Sequence, residues 1–225
     1  MAVLLTVACG GPGTQGGESP TMVAEKAFPV GRELSATGFV VDQQGLVVTA
    51  GHAVEDCASL YVVKGGRTLA AGVVVRSASP DLALLQVGTV LAPPAALAAG
   101  RTAGNSGVFV AGYRALPRLL ADGGGLFNAV LLAADDERAE IVLLSDADHG
   151  SSGAPVFDGN GLVVGVVSRR TSADRVFAVG IGALRAFLAS HGVAMETDTR
   201  PQLDPFQDRA RRAATVSVGV RCFAR

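Results

Sequence analysis

Short Val-rich runs separated by polar, glycine-bearing turns recur along this chain from Phe28 onward. In "ATGFVVDQQGLVVTAGH" two such runs flank Asp42-Gln43-Gln44-Gly45. Two strands joined by a tight polar turn satisfy that pattern, whereas a helix loses its period there. "LYVVKGGRTLAAGVVVR" repeats the design around Lys64-Gly65-Gly66, and Asp158-Gly159-Asn160-Gly161 repeats it again. "DLALLQVG", "GVFVAGY", "LLADGGGLFNAVLLAA", "AEIVLLSD" and "RVFAVGI" are further strand candidates. Many short strands at this spacing predict an all-β sandwich or barrel. One helix stands out, "GALRAFLASHG", with Leu184, Phe187 and Leu188 on one face and Gly192 as its stop.

The turns also suggest an organisation. Residues 1–27 read as a tail with a Gly-rich linker, 28–100 as a first unit, and 101–192 as a second unit ending in the helix. "VLAPPAALAAGRTAGNSG" suits the crossing between them. In 193–225, "DTRPQLDPFQDRARRAA" reads as a polar loop, and "TVSVGVRCF" as a strand that docks the tail. With 49% apolar and 17% charged residues a sizeable core is available. The net charge of −1 leaves no basic surplus for phosphates, so nucleic acid is excluded as a partner class. No strand-Gly-x-Gly-x-x-Gly-helix unit is present. The histidines and cysteines, three of each, lack paired metal-ligand spacing. No cofactor and no metal is expected.

Chemistry collects at three places. "VVTAGHAVEDC" puts His52 just past the end of an apolar strand. "SPDLALLQVG" puts Asp81 at the entry of another, where a carboxylate needs a partner. "DADHGSSGAPVF" carries Ser152 among small residues. A serine hydroxyl needs a base for its proton and donors for the oxyanion it creates. His52 is the natural base and Asp81 its orienter. Gly150 lets two amides turn toward one point, and Gly153 keeps the approach open. The chain order His, Asp, Ser with Ala154 in the fifth position departs from the Gly-x-Ser-x-Gly elbow, in which Ser comes first.

Residues 33–190 resemble a trypsin-like serine peptidase of the bacterial HtrA/DegP kind. "ATGFVVDQQGLVVTAGHAVEDC" is similar to that family's histidine motif, "DLALLQV" to its aspartate motif, and "HGSSGAPVFDGNGLVVGVVS" to its nucleophile loop. The resemblance implies two six-stranded antiparallel β-barrels of the chymotrypsin type with a short C-terminal helix. His and Asp would lie in the first barrel and Ser in the second. It implies endopeptidase action on exposed or unfolded polypeptide, with Ser152 as nucleophile, His52 as base then acid, and Asp81 as orienter. The amides of Gly150 and Ser152 would form the oxyanion hole. Ser151 stands where digestive-type enzymes carry an Asp, so activation by a freed N-terminus is not expected. Residues 193–225 are too few for a PDZ module. The alternative is a non-catalytic barrel that binds extended peptide; esterase action would be a side capability of the same site.

For specificity, the strand ending in Ser168, Arg169 and Arg170 should pair with substrate. Asp146 could form the pocket base and favour a basic side chain, while Arg170 and Arg175 could neutralise it or favour an acidic one. The start, "MAVLLTVACGGPGTQGG", is similar to the end of a bacterial lipoprotein signal, with Cys9 as lipid attachment point. An upstream start would complete it. The expectation is export to the periplasm or cell envelope, with a lipid anchor. Cys57 and Cys222 then remain as an even pair, either bridged or as two buried thiols.

Overall fold

The computed structural model describes residues 32–225 except 126, 136–138, 148–149, 173, 205–206 and 225. The strands β1 (Glu33–Val40), β2 (Leu46–Thr49), β3 (Cys57–Lys64), β4 (Arg67–Ala78) and β5 (Asp81–Val87) come first. After the crossing follow β6 (Leu97–Ala98), β7 (Ser106–Val110), α1 (Leu116–Ala121), β8 (Ala129–Asp135), β9 (Glu140–Ser145), β10 (Pro155–Phe157), β11 (Val163–Arg170) and β12 (Arg175–Gly180). The chain ends with α2 (Ile181–Ser190), β13 (Thr197–Asp198), α3 (Arg209–Val216) and β14 (Ser217–Ala224). Strands β1-β14-β3-β4-β5-β2 close one antiparallel barrel. A second ring runs β10-β7-β8-β9-β12-β11 and closes through β10–β11 pairing. Two-residue β6 and β13 extend that sheet in parallel beside β11. The expected pair of six-stranded barrels is what the chain forms.

The same device makes two of the hairpin turns. Asp42 Oδ1 accepts from the amides of Gln44 (2.9 Å) and Leu46 (2.8 Å), and Asp158 Oδ1 does so from Asn160 and Leu162, both at 2.9 Å. Each Asp ties down the amides two and four residues on, and a left-handed Gly follows at 45 and 161.

Strand alternation explains why several runs are apolar without a break. On β1, Val40 fills the interior of the first barrel while its neighbour Phe39 packs into the core shared with the second. Val47 and Val48 on β2, and Leu85 and Leu84 on β5, divide in the same way. Both faces of these strands are covered, so both must be apolar. β4 is the exception: it carries Val73 and Val74 in the open, at the irregularity in its pairing with β5.

Three sequence expectations change. "LLADGGGLFNAVLLAA" is only partly strand: its first residues belong to α1, which has Pro117 in its first turn. The left-handed glycines 123–125 follow, and β8 starts at Ala129. The stretch 198–214 is not all loop, because α3 occupies its end and buries Ala210, Ala213 and Val216 along one side. Alanine contributes little hydrophobic contrast, so this face is faint in the sequence. Residues 217–224, read as a docking tail, are a stave of the first barrel, between β1 and β3. Cys57 and Cys222 are joined by a disulfide that links β3 to β14, with Cα atoms 5.3 Å apart. Helix α2 lies where the pattern put it, and the backbone turns at Gly192 (φ 70°).

Candidate active site

β2 delivers the chain to a single helical turn, Gly51–Val54, that carries His52. A side chain at Gly51 would stand 2.5 Å from the Ser77 carbonyl oxygen and 3.0 Å from Asp81 Oδ1. The glycine lets the turn press against the entry of β5. His52 consequently grips Asp81 twice: its amide donates to Oδ1 at 2.9 Å, and its ring Nδ1 lies 2.8 Å from Oδ2. Ser168 adds a third bond, its hydroxyl donating to Oδ2 at 2.5 Å. Burial alone would push the Asp81 carboxyl up. The bonds from the His52 ring, the Ser168 hydroxyl and the His52 amide outweigh it and hold the group at about 2. The same hydrogen bond raises the His52 ring above 6.5 against the opposing effect of burial, and the charges of Asp81 and Glu55 add to it.

With Nδ1 occupied by Asp81, Nε2 faces the Ser152 hydroxyl at 3.2 Å. Ser152 Oγ is also 3.3 Å from the Ser168 carbonyl oxygen. An ionised carboxylate, an imidazole and an alcohol therefore stand in line across the two barrels. Such a line can move a proton from the alcohol to the ring.

The loop around Ser152 is shaped by two left-handed glycines, Gly150 (φ 96°) and Gly153 (φ 81°). Gly153 does more than keep the approach open. A Cβ there would fall 2.1 Å from the Thr37 carbonyl oxygen and 2.3 Å from Thr49 Oγ1, inside the first barrel. The glycine is what lets the second barrel lean its serine onto the first. Gly153→Ala is expected to cost more than about 3 kcal/mol, combining left-handed strain with a backbone clash. Urea unfolding checks this, and a midpoint within error of the parent would contradict it.

The sequence did not single out Thr37. It is fully buried. Its amide donates to the Ser152 carbonyl at 2.9 Å and its hydroxyl to the Gly150 carbonyl at 2.7 Å. That hydroxyl also accepts from the Tyr113 amide at 2.8 Å. One residue of β1 thus fixes both carbonyls that flank Ser151. A polar residue in the otherwise apolar buried half of β1, residues 36–40, was the available hint.

The residues expected to line the substrate pocket separate. Ser168 is buried, and the β11–β12 register skips it between Val167 and Arg169. This bulge turns its hydroxyl onto Asp81, while its carbonyl faces Ser152. Arg169 is bound by Glu140 (2.5 and 3.2 Å) and lies over the Phe177 ring at 4.5 Å. Arg170 donates to the carbonyls of Ser172 (2.8 Å) and Ala147 (3.4 Å), spanning from β11 to the segment after β9. Arg175 is exposed at the start of β12. Asp146 is exposed and lines, with Ser151, Asn128 and Arg118, a cleft against α1. Ala154 is buried among the core residues. Cys9 and His149 lie outside the described residues.

A family model described as the trypsin-like peptidase domain matches residues 36–166. The chain is 30% identical over 91% of its length to an uncharacterized protein, y4bJ, of Sinorhizobium fredii, and covers 36% of that protein. It is 29% identical over 74% of its length to the serine protease Rv3671c of Mycobacterium tuberculosis, and covers 44% of that one. The chain therefore spans less than half the length of these relatives. A crystal structure of the Rv3671c protease in its inactive form superposes with a TM-score of 0.58 at 29% identity, covering 71% of this chain and 85% of that one.

Proposed function

The chain belongs to the trypsin-like peptidase family, and from that premise we propose that it is a serine endopeptidase that cleaves exposed or unfolded polypeptide through Ser152, His52 and Asp81. The observation that carries the reading is the continuous line from Asp81 Oδ2 through the His52 ring to Ser152 Oγ, 2.8 and 3.2 Å in its two steps. Ser152 attacks the peptide carbonyl while His52 takes its proton. The amides of Gly150 and Ser152 receive the oxyanion, in a loop whose carbonyls Thr37 holds. His52 then donates that proton to the leaving amine, and water repeats the sequence on the acyl-enzyme. No observation favours the non-catalytic peptide-binding alternative. The HtrA/DegP type rests on the three motifs. A fluorophosphonate probe should label the purified protein at Ser152, and Ser152→Ala should abolish the label. Equal labelling of the variant would refute the assignment.

His52 must be neutral to accept the proton. Its ring titrates above 6.5 because of Asp81, so kcat/KM should rise with pH along a limb centred above that value. A pH profile with a limb at or below 6.5 would contradict the coupling.

Export to the cell envelope belongs to the same proposal. Its support is the Cys9 segment together with the Cys57–Cys222 bridge, since disulfides persist in oxidising compartments. Recovery of the protein from the cytosolic fraction with both cysteines reduced would overturn it.

A further inference from the structure

A cleft opens on the outer face of the first barrel next to the 150–153 loop. Its floor is formed by β1, β14 and β3, through Ser35, Gly219 and Val63. Its wall is the segment between β7 and α1: Tyr113, Arg114 and Pro117. Two contacts tie it to the loop. The Tyr113 amide donates to the Thr37 hydroxyl, which in turn donates to the Gly150 carbonyl. The Ser35 carbonyl oxygen lies 3.7 Å from where a Gly150 side chain would begin.

The cleft is built. The Tyr113 ring rests on Gly219, where any Cβ would come within 2.8 Å of it, and the Tyr113 hydroxyl accepts from the Gly65 amide at 3.3 Å. Arg221 is paired with Glu33 at 3.5 Å. Arg114 is exposed and forms no ion pair or hydrogen bond among the described residues. The pocket therefore offers apolar walls for methylene groups and one uncommitted guanidinium at its rim.

Direction follows from the two sides of Ser152. β11 approaches Ser152 Oγ through the Ser168 carbonyl and is the strand placed to pair with the acyl half of a substrate. β1 and the cleft lie on the other side, where the leaving half must run. An extended chain advances about 3.3 Å per residue, so the second leaving-group residue reaches the Gly150–Ser35 region.

We infer that this cleft is a specificity pocket for an acidic side chain at the second residue of the leaving group, read by Arg114. The carboxylate would take a two-pronged bond from the guanidinium, and its methylenes would lie on Val63 and Pro117. A lysine there would meet Arg114 and Arg221 against the single Glu33. The inference rests on Ser152 acting as the nucleophile.

Acyl transfer tests the two apart. Ser152 is loaded from p-nitrophenyl acetate, and alanyl-glutamate amide, alanyl-glutamine amide and alanyl-lysine amide then compete with water for the acyl group. The ratio of transfer to hydrolysis normalises itself for the amount of active enzyme. In the parent, the glutamate nucleophile should be favoured over the other two by roughly fivefold, the scale of a partly exposed charged pair. Arg114→Gln should bring the three within twofold, and Arg114→Glu should turn the preference to lysine. An acyl-enzyme that partitions equally among the three, or a glutamate preference that survives in Arg114→Gln, overturns the pocket alone. If no acyl-enzyme forms in the parent, the endopeptidase reading falls and this inference falls with it.

Discussion

Asp81→Asn should lower kcat by roughly four orders of magnitude with little change in KM. Asp81 accepts from the His52 ring and amide and from the Ser168 hydroxyl. An asparagine keeps the volume and one acceptor oxygen but presents an amide NH2 on its other arm. The ring must then turn or change tautomer, and Nε2 no longer offers a lone pair to Ser152. Removing the carboxylate also removes what raises the ring, so the residual activity should carry its pH limb at a lower value than the parent. Because the group is displaced in the opposite sense to His52, the sign is separable. Asp81 sits at about 2, is ionised throughout the neutral range, and cannot itself produce a limb there. Steady-state kinetics on a peptide substrate across pH tests both halves. A loss below tenfold, or a limb that does not move, would mean that Asp81 does not orient the ring.

Removal of the bridge between Cys57 and Cys222 should cost about 2–5 kcal/mol of stability. The two residues are 165 positions apart, so the bond closes a long loop and restricts the unfolded chain strongly. It also joins β3 to β14, the stave that comes from the far end of the sequence. Cys222 is fully buried in the first-barrel core beside Val62 and Val220. Urea unfolding of Cys57→Ala/Cys222→Ala against the parent, each with and without reductant, checks this. The reduced parent should fall to the midpoint of the double variant. Coincident midpoints for oxidised parent and variant, or alkylation of both thiols without reductant, would show that the bond contributes nothing.

Composition and pattern were enough for most of the strands, because a turn is written in neighbouring residues. Asp42 and Gly45 close their hairpin within five positions, and Asp158 and Gly161 do the same. His52, Asp81 and Ser152 were also legible, since His52 follows one apolar run, Asp81 enters another, Ser152 stands among small residues beside glycines, and their order is informative. The short helix α3 was missed because its buried side is mostly alanine. The bond from the Ser168 hydroxyl to Asp81 was not legible, because that hydroxyl is aimed by a bulge, and a bulge depends on the register of the partner strand.

The sequence by itself determined the class of structure and the three groups of the site, through local periodicity, turn chemistry and the rarity of ionisable residues beside buried strands. Only the tertiary structure decided that β14 completes the first barrel, that Gly153 packs against Thr37 and Thr49 of the first barrel, that Thr37 holds the 150–153 loop, and that Arg114 faces a cleft beside it. These relations join residues far apart in the chain: Thr37 and Tyr113 differ by 76 positions, and Thr37 and Gly150 by 113. Such proximity is set by how whole sheets pack, a property that no single segment carries.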